Sequence, residues 1–192
     1  MSSARPAAQR VRVLPIDAQR WADFEQLFSA RGAPHYCWCS PYRFAHAERL
    51  SAAGKRAAMH ELVVQGTPIG VLAYAGERVV GWCSVAPRES YVKLQRSRTM
   101  PRLSDLPTWT VLCLFVPRPE RGQRLTSALL RGALRYARAQ GAQLVEGFPH
   151  DTAGISSTHR GSSAAFAAAG FQEHGQRWIR RWARPAPPRS VG

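Results

Sequence analysis

The chain has 192 residues, of which 45% are apolar and 20% charged, so it is long enough for one domain with a hydrophobic core. Its formal net charge is +15, from 27 Lys and Arg against 12 Asp and Glu. Residues 1–10 lack the apolar run of a secretory signal, no window approaches the roughly 18 apolar residues of a membrane helix, and four cysteines do not make a disulfide framework. We therefore expect a cytoplasmic protein with reduced thiols and no contact with a membrane.

The first half of the chain predicts a strand, two helical segments and a hairpin. The alternating VRVLP at 11–15 indicates a strand, and Asp17 is placed to cap a helix with apolar residues at helical spacing, namely Trp21, Phe24, Leu27 and Phe28. A second, broken helical stretch runs from about 44 to 64. The apolar runs at 68–74 and 78–86, separated by Ala-Gly-Glu, are the clearest hairpin signal in the sequence.

The second half predicts strands and helices in alternation, after a polar, basic segment at 87–107 with a short helix around 91–96. TWTVLCLFV at 108–116 is almost continuously apolar, as expected of a strand covered on both faces. The remaining elements are a helix over 121–140, a strand over 143–148, a short alanine-rich helix ending at Gly170, and one strand or a tight hairpin over 171–182.

This order of elements predicts an α/β protein with a mixed sheet and helices on its faces, which excludes an all-β domain and a simple helical bundle. We expect a flexible N-terminus at 1–10, a single domain at 11–184 and a Pro-rich disordered tail at 185–192.

A strand-to-helix turn rich in arginine stands out within LCLFVPRPERGQRLTSALL, residues 112–130. The first amides of a helix have no intrahelical acceptor, and the helix dipole adds about half a positive charge there. Arg118, Arg121 and Arg124 would add formal charge to such a turn. The stretch therefore predicts an anion site that suits a diphosphate.

The same stretch is similar to the acyl-CoA-binding segment of the GNAT superfamily of N-acyltransferases, whose pattern is a strand, then Arg/Gln-x-x-Gly-x-Gly/Ala, then a helix. Arg121-Gly122-Gln123-Arg124-Leu125-Thr126 occupies those six positions. The flanking elements agree over roughly 11–183, and the CWC and GWCSVAPRE stretches resemble one branch of the superfamily. The resemblance implies the GNAT fold, with a mixed, mostly antiparallel central sheet flanked by helices on both faces.

The resemblance also implies a function: an N-acetyltransferase that moves an acetyl group, or another acyl group, from acyl-CoA directly to a primary amine without a metal. The strand at 112–116 would pair with the pantetheine arm, and a backbone N–H near Phe115 or Val116 would stabilise the oxyanion. The implied acyl-CoA-binding residues are Leu114, Phe115, Val116, Arg121, Gly122, Gln123, Arg124, Leu125, Thr126 and Ser127.

Two positions depart from the family pattern, because Arg124 and Thr126 replace its two small residues. We expect both to lie in helical backbone, where glycine is not needed for its dihedral angles. Arg124 would then turn outward to pair with phosphate and Thr126 would donate its hydroxyl. The alternative is a loop that binds CoA weakly or has been put to another use.

Four residues are candidates for the proton transfers. Glu146, a carboxylate in the apolar strand QLVEGF, and Glu89, just after the hairpin, are the candidate bases. The alternatives are a strand-end residue that reaches solvent or pairs with arginine, for Glu146, and a solvated loop charge, for Glu89. His150 and Asp151 follow the strand of Glu146 and are more typical of a solvated loop. Many GNAT enzymes place a Tyr acid where this chain has Phe166, so Ser162 and Ser163 are the candidate acids, unless they cap the following helix or solvent protonates the thiolate.

Cys37 and Cys39 stand too close for the usual two-cysteine zinc motif, and a second pair is missing, so we expect no metal. We interpret this segment instead as a structural or acceptor-site loop packed with Tyr36, Trp38 and Tyr42. The resemblance implies that the segment helps to form the acceptor pocket.

The basic charge leaves a second interpretation open. Arginine bias reflects either a GC-rich coding sequence or an anionic partner, and the arginines at 88, 96, 98, 102 and 180–184 allow a nucleic-acid-associated protein on a GNAT scaffold. Arginines converging on the cleft would favour CoA phosphate and an anionic acceptor; arginines on a separate face would favour nucleic acid. The acceptor amine, the acyl length and a homodimer stay open at this point.

Overall fold

The computed structural model of the protein describes residues 11–151 and 159–182. The expected flexible N-terminus at 1–10 and disordered tail at 185–192 lie outside the described residues. Within the described residues, no helix is both long and apolar enough to cross a membrane.

The described residues form a sheet of seven strands in the order β1-β2-β3-β4-β5-β7-β6. The strands are β1 (Val11–Pro15), β2 (Val71–Ala75), β3 (Arg78–Pro87), β4 (Thr108–Phe115), β5 (Leu144–Gly147), β6 (Gln172–His174) and β7 (Arg177–Arg181). Every neighbouring pair is antiparallel except β4 and β5, which run parallel. The predicted mixed, mostly antiparallel sheet is therefore confirmed.

Helices cover both faces of this sheet. They are α1 (Trp21–Ser29), α2 (Ala52–Val64), α3 (Leu125–Ala139) and α4 (Ser163–Ala169). The apolar sides of α3 and α4 form one core with alternate residues of the central strands, and α1 and α2 form a second core on the opposite face. Helix α3 lies so close to β1 that a Cβ at Gly132 would stand 2.2 Å from a methyl group of Val13, which explains a glycine inside a helix.

Two helices begin later in the chain than their apolar periodicity predicts. Helix α2 begins after Ser51, whose hydroxyl accepts from the Gly54 N–H at 3.0 Å. The predicted break in the stretch from 44 is present, since turns and a short 3-10 helix at Ala47–Arg49 precede α2. Helix α3 begins at Leu125 rather than 121, because Gly122 and Arg124 take left-handed backbone angles. Residues 171–182 form the hairpin β6–β7, the second of the two forms allowed by the sequence.

The parallel pairing of β4 and β5 positions the site. It joins Thr108–Val111 to Leu144–Gly147, and β4 then continues to Phe115 without β5 as a neighbour. A gap thus opens beside the last residues of β4, next to the arginine-rich turn.

Candidate active site

The arginine-rich turn leads from the end of β4 into an uncapped helix. Gly122 has φ +83° and Arg124 has φ +56°, so the chain curls sharply before α3. The α3 N-terminus has no side-chain cap, and its first intrahelical bond runs from the Ala128 N–H to the Arg124 carbonyl. The N–H groups of the first turn are therefore available to an anion.

This turn forms one wall of a groove of about 430 Å³. The opposite wall is the alanine-rich face of α4, at Ala164, Ala165 and Ala168. Seven of the ten predicted acyl-CoA-binding residues line the groove: Val116, Arg121, Gly122, Arg124, Leu125, Thr126 and Ser127. The small α4 side chains leave the room that a bulky ligand on the turn would need.

The remaining three predicted residues lie outside this groove. Gln123 is exposed at the tip of the turn, while Leu114 and Phe115 are buried in the last part of β4. The Phe115 ring packs against Phe28 of α1, with ring centroids 5.8 Å apart.

Arg124 corrects the expectation that its position lies in helical backbone. Its angles, φ 56° and ψ 22°, place it in the left-handed region. A residue with a Cβ pays roughly 1–2 kcal/mol there, whereas glycine pays nothing for its side chain. The glycine of the family pattern at this position is thus explained by backbone geometry as well as by close approach to phosphate.

His159 occupies the exposed edge of β4, where the resemblance places the pantetheine arm. The Leu114 N–H donates to the His159 carbonyl, and the His159 Nδ1 lies 3.2 Å from the Leu114 carbonyl oxygen. The imidazole also lies 6.0 Å from the Phe115 ring, centroid to centroid. Sequence reasoning missed this residue, because its partner is 45 positions away and becomes accessible only where β4 and β5 separate.

Glu146 lies in a buried ion-paired cluster away from the groove. Its side chain is fully buried and accepts hydrogen bonds from Arg88, from Arg177 Nη1 at 2.7 Å and from Thr110 Oγ1 at 3.1 Å. Glu146 pairs in register with Thr110, four residues before Leu114 on β4, which is about 13 Å along a strand. These contacts favour the ion-paired alternative; the assignment of Glu146 as the base stays a prediction.

Glu89 lines a different cavity of about 470 Å³, formed by the segment after β3 together with Arg88 and Arg102. Its carboxylate is 3.1 Å from Arg102 Nη2, and its side chain is 56% exposed. Because β3 and β4 are antiparallel, Glu89 follows the strand end opposite the arginine-rich turn. Its assignment as a base also stays a prediction.

The two serine candidates lie at the start of α4. The Ser162 hydroxyl accepts from the Ala165 N–H at 3.3 Å and caps the helix, as its structural alternative predicted. The Ser163 N–H donates to Asp151 Oδ1 at 2.8 Å, and the hydrogen bonds from Ser163 hold the pKa of Asp151 below its usual value. Phe166 is fully buried in the core.

The segment with Cys37 and Cys39 packs against β4 beside the same gap. Trp38 stacks on Phe28 at 5.6 Å, and the Cys39 Sγ lies 3.0 Å from the Cys113 Sγ. Burial holds the pKa of Cys39 well above its usual value, so it is a thiol rather than a thiolate. Within the described residues no group of three or more His, Cys, Asp or Glu side chains is placed to hold a metal ion.

Arg43, on the same segment, is a second residue that sequence reasoning missed. It is 2% exposed, and its Nη2 donates to the Ile69 carbonyl at 2.6 Å, to Ser84 Oγ at 3.2 Å and to Tyr91 OH at 3.2 Å. Burial raises the pKa of Tyr91 to about 12, so this phenol is neutral near pH 7. A guanidinium thus lies among neutral groups beside the end of β4.

The comparison with protein families agrees with this site. Residues 21–156 match the model of the acetyltransferase (GNAT) family. No curated protein matches the chain.

Solved structures provide a likeness of fold. A GNAT family acetyltransferase from Brucella melitensis in complex with acetyl-CoA is 11% identical, with TM-score 0.51 and coverage of 93% of this chain and 92% of that one. The Drosophila melanogaster polyamine N-acetyltransferase, which forms N-acetylagmatine, is 15% identical, with TM-score 0.52 and coverage of 90% and 100%. The aminoglycoside acetyltransferase AAC(6')-Ib in complex with coenzyme A is 12% identical, with TM-score 0.57 and coverage of 90% and 95%.

Proposed function

Since the chain belongs to the GNAT family of acetyltransferases, we propose that it moves the acetyl group of acetyl-CoA directly to a primary amine of a small molecule or peptide. The observation that carries this proposal is the groove between the arginine-rich turn and α4. The groove is lined by the uncapped N-terminus of α3, by Arg121, Gly122 and Arg124 of the turn, and by the alanines of α4. A CoA diphosphate fits these features because it needs amides and cations at close range.

The remainder of the donor would follow the exposed edge of β4. Pantetheine amides would bond to the Leu114 backbone, so the pairing of Leu114 with His159 has to break when the donor binds. The acetyl carbonyl would then lie near the N–H groups of Phe115 and Val116, which stabilise the oxyanion.

The transfer itself makes a C–N bond and breaks the C–S bond of the thioester. The amine loses a proton, and the departing CoA thiolate takes one up. Of the candidates for these steps, Ser163 lies at the start of α4, whose alanines line the groove, and it is the candidate acid that we retain with Ser162. Glu146 and Glu89 remain candidate bases, with the contacts of Glu146 favouring a structural role.

Thermal unfolding with acetyl-CoA, CoA and longer acyl-CoAs tests the donor site. At about 100 times the dissociation constant, the free energy of unfolding should rise by roughly 2.7 kcal/mol, which is about 5–11 °C for a domain of this size. The rank order of the shifts identifies the acyl group. No shift with any acyl-CoA would contradict the proposal, and a shift with CoA but no turnover of any amine would leave a binding protein rather than an enzyme.

The nucleic-acid alternative loses support from the surroundings of its arginines. Arg88 is buried against Glu146, Arg102 pairs with Glu89, and Arg180 donates to the Gly170 carbonyl. Exposed Arg96, Arg98 and Arg181 remain for such a surface, and Arg184 lies outside the described residues. A salt-steep affinity for an oligonucleotide would restore this alternative.

We propose a cytoplasmic location, where the four cysteines of the chain would stay reduced. A homodimer stays a proposal suggested by the family resemblance alone.

A further inference from the structure

The three buried arginines in the described residues differ in their partners. Arg88 and Arg177 share the Glu146 carboxylate. Arg43 has no carboxylate within ion-pairing distance among the described residues, and its Nε and Nη1 are buried without any hydrogen-bond acceptor. Three of its five N–H donors are therefore unused.

A buried guanidinium in this state is costly. Taking a cation out of water requires compensation by an opposite charge and by hydrogen bonds to most of its donors. The acceptors of Nη2 are all uncharged: a carbonyl, the Ser84 hydroxyl and the neutral Tyr91 phenol. The Tyr91 ring adds a cation–π contact, with the guanidinium carbon 4.5 Å from its centroid, but leaves the N–H donors unpaired.

Arg43 is also in the right place to meet an acceptor. Ser84, to which it donates, pairs with Cys113 across β3 and β4, and Cys113 directly precedes Leu114. Because paired residues of neighbouring strands lie about 5 Å apart, the guanidinium is within roughly 10 Å of the Leu114 backbone. An amine that reacts at the end of β4 would hold a neighbouring substituent close to Arg43.

We propose that Arg43 binds a carboxylate of the acceptor, so that the substrate class is small amines that carry a carboxylate near the reacting nitrogen, such as α-amino acids. This inference rests on the proposed function and specifies its acceptor. It separates this chain from the structural neighbours named for agmatine and aminoglycosides, whose substrates are polycations that a buried, unpaired arginine would repel.

The segment of Arg43 is bonded to the donor side. Tyr42, its neighbour in the chain, accepts a hydrogen bond at 2.9 Å from Arg160, and Arg160 follows the His159 that occupies the edge of β4. Displacement of His159 by the donor would break the bond between Arg160 and Tyr42, the residue that precedes Arg43. The carboxylate should therefore bind to the CoA-loaded protein.

The test compares matched pairs of amines that differ only in the carboxylate: arginine with agmatine, and tyrosine with tyramine. With saturating acetyl-CoA, the carboxylate-bearing member should have a kcat/KM about 10- to 100-fold higher, as expected for a charge-assisted hydrogen bond. In Arg43→Gln this ratio should fall to near one, and in Arg43→Lys it should lie between the two. Arg49→Gln is the matched control, because it removes the same charge from an exposed position on the same segment and should keep the wild-type ratio.

A second measurement tests the inference even if the Arg43 variants fold poorly or the protein shows no turnover. Calorimetry on the wild-type protein with CoA bound should give about 10- to 100-fold tighter binding of N-acetyltyrosine than of N-acetyltyramine. Equal use of both members of each pair, or equal binding of both products, would overturn the inference and assign the spare donors of Arg43 to internal water. A preference that survives in Arg43→Gln would also overturn it. Absence of turnover combined with selective product binding would instead contradict the proposed function and leave the carboxylate site standing.

Discussion

Replacing Glu146 with glutamine should destabilise the protein rather than remove only its activity. The carboxylate is the shared counter-charge of Arg88 and Arg177, whose side chains are 5% and 9% exposed. The amide keeps the shape of the side chain and one acceptor oxygen, but it turns an N–H₂ group toward one of the two guanidinium groups.

The size of the effect follows from the two arginines that lose their charge partner. Removing one member of a buried ion pair costs about 3–5 kcal/mol, since the other charge stays buried without compensation. For a chain of 192 residues, each kcal/mol moves the melting temperature by about 2–4 °C, so we expect a fall of roughly 6–20 °C. Differential scanning calorimetry measures it, with kcat determined on the same samples well below the transition.

Glu89→Gln is the matched control, because it removes the other candidate base from a pair whose carboxylate side chain is 56% exposed. An exposed pair contributes about 0–1 kcal/mol, so its melting temperature should change by less than about 4 °C. If Glu146→Gln melts with the wild type while kcat falls by a factor of about 100 or more, the carboxylate is the general base and the structural argument is wrong. A comparable loss of kcat in Glu89→Gln alone would assign the base to that residue.

Three further changes test the loop, the edge of β4 and the buried phenol. Arg124→Gly should raise the unfolding free energy by about 0.5–1 kcal/mol, by relieving a left-handed residue, while weakening CoA binding about tenfold by titration calorimetry; unchanged affinity would mean that the guanidinium does not touch the diphosphate. His159→Ala should tighten acetyl-CoA binding by a factor of about 2–10, because it removes the imidazole contact to the Leu114 carbonyl and leaves the donor to displace only the bond from the Leu114 N–H to the backbone carbonyl of residue 159; weaker binding would instead make His159 part of the donor site. Since the pKa of Tyr91 is raised from 10.0 to about 12, its contribution to stability is complete below pH 10 and is lost as the pH rises toward 12, by about 2–3 kcal/mol. Urea titrations between pH 9 and 12 should therefore give a flatter pH dependence for Tyr91→Phe than for the wild type, and parallel curves would argue that the phenol is not buried.

The order and type of the main elements could be predicted because their signals are local. The hairpin of β2 and β3 and the buried strand β4 are each recorded in consecutive residues, and the family pattern at Arg121–Thr126 identifies the turn. The start of α3 could not be read in the same way. Its apolar periodicity extends back toward residue 121, whereas the left-handed backbone angles of Gly122 and Arg124 prevent the helix from starting before Leu125.

The site residues that escaped prediction share a different cause: their chemistry is set by partners distant in the chain. Arg43 meets Ile69, Ser84 and Tyr91 across 26, 41 and 48 positions. A single sequence shows a lone arginine in an aromatic segment and gives no indication that it is buried. Glu146 could be singled out as an unusual carboxylate in an apolar strand, but its two arginine partners, 58 and 31 positions away, could not be identified from the sequence.

Buried arginines of two kinds lie along β4: those paired with a carboxylate lie where β5 is paired with β4, and the one with spare donors lies where β5 has ended. Where β4 and β5 are paired, around Thr110 and Glu146, both buried arginines have the Glu146 carboxylate as a partner, and its oxygens are bonded within the protein. Where β5 no longer accompanies β4, the backbone of Leu114 is held by a loop residue and Arg43 has spare donors. A structural charge cluster has to be complete before any ligand arrives, whereas a binding site gains affinity from groups that the ligand alone completes. The spare donors of Arg43 and the uncapped N-terminus of α3 lie near the same end of β4, and this is why we place both the donor and the acceptor there and not beside Glu146.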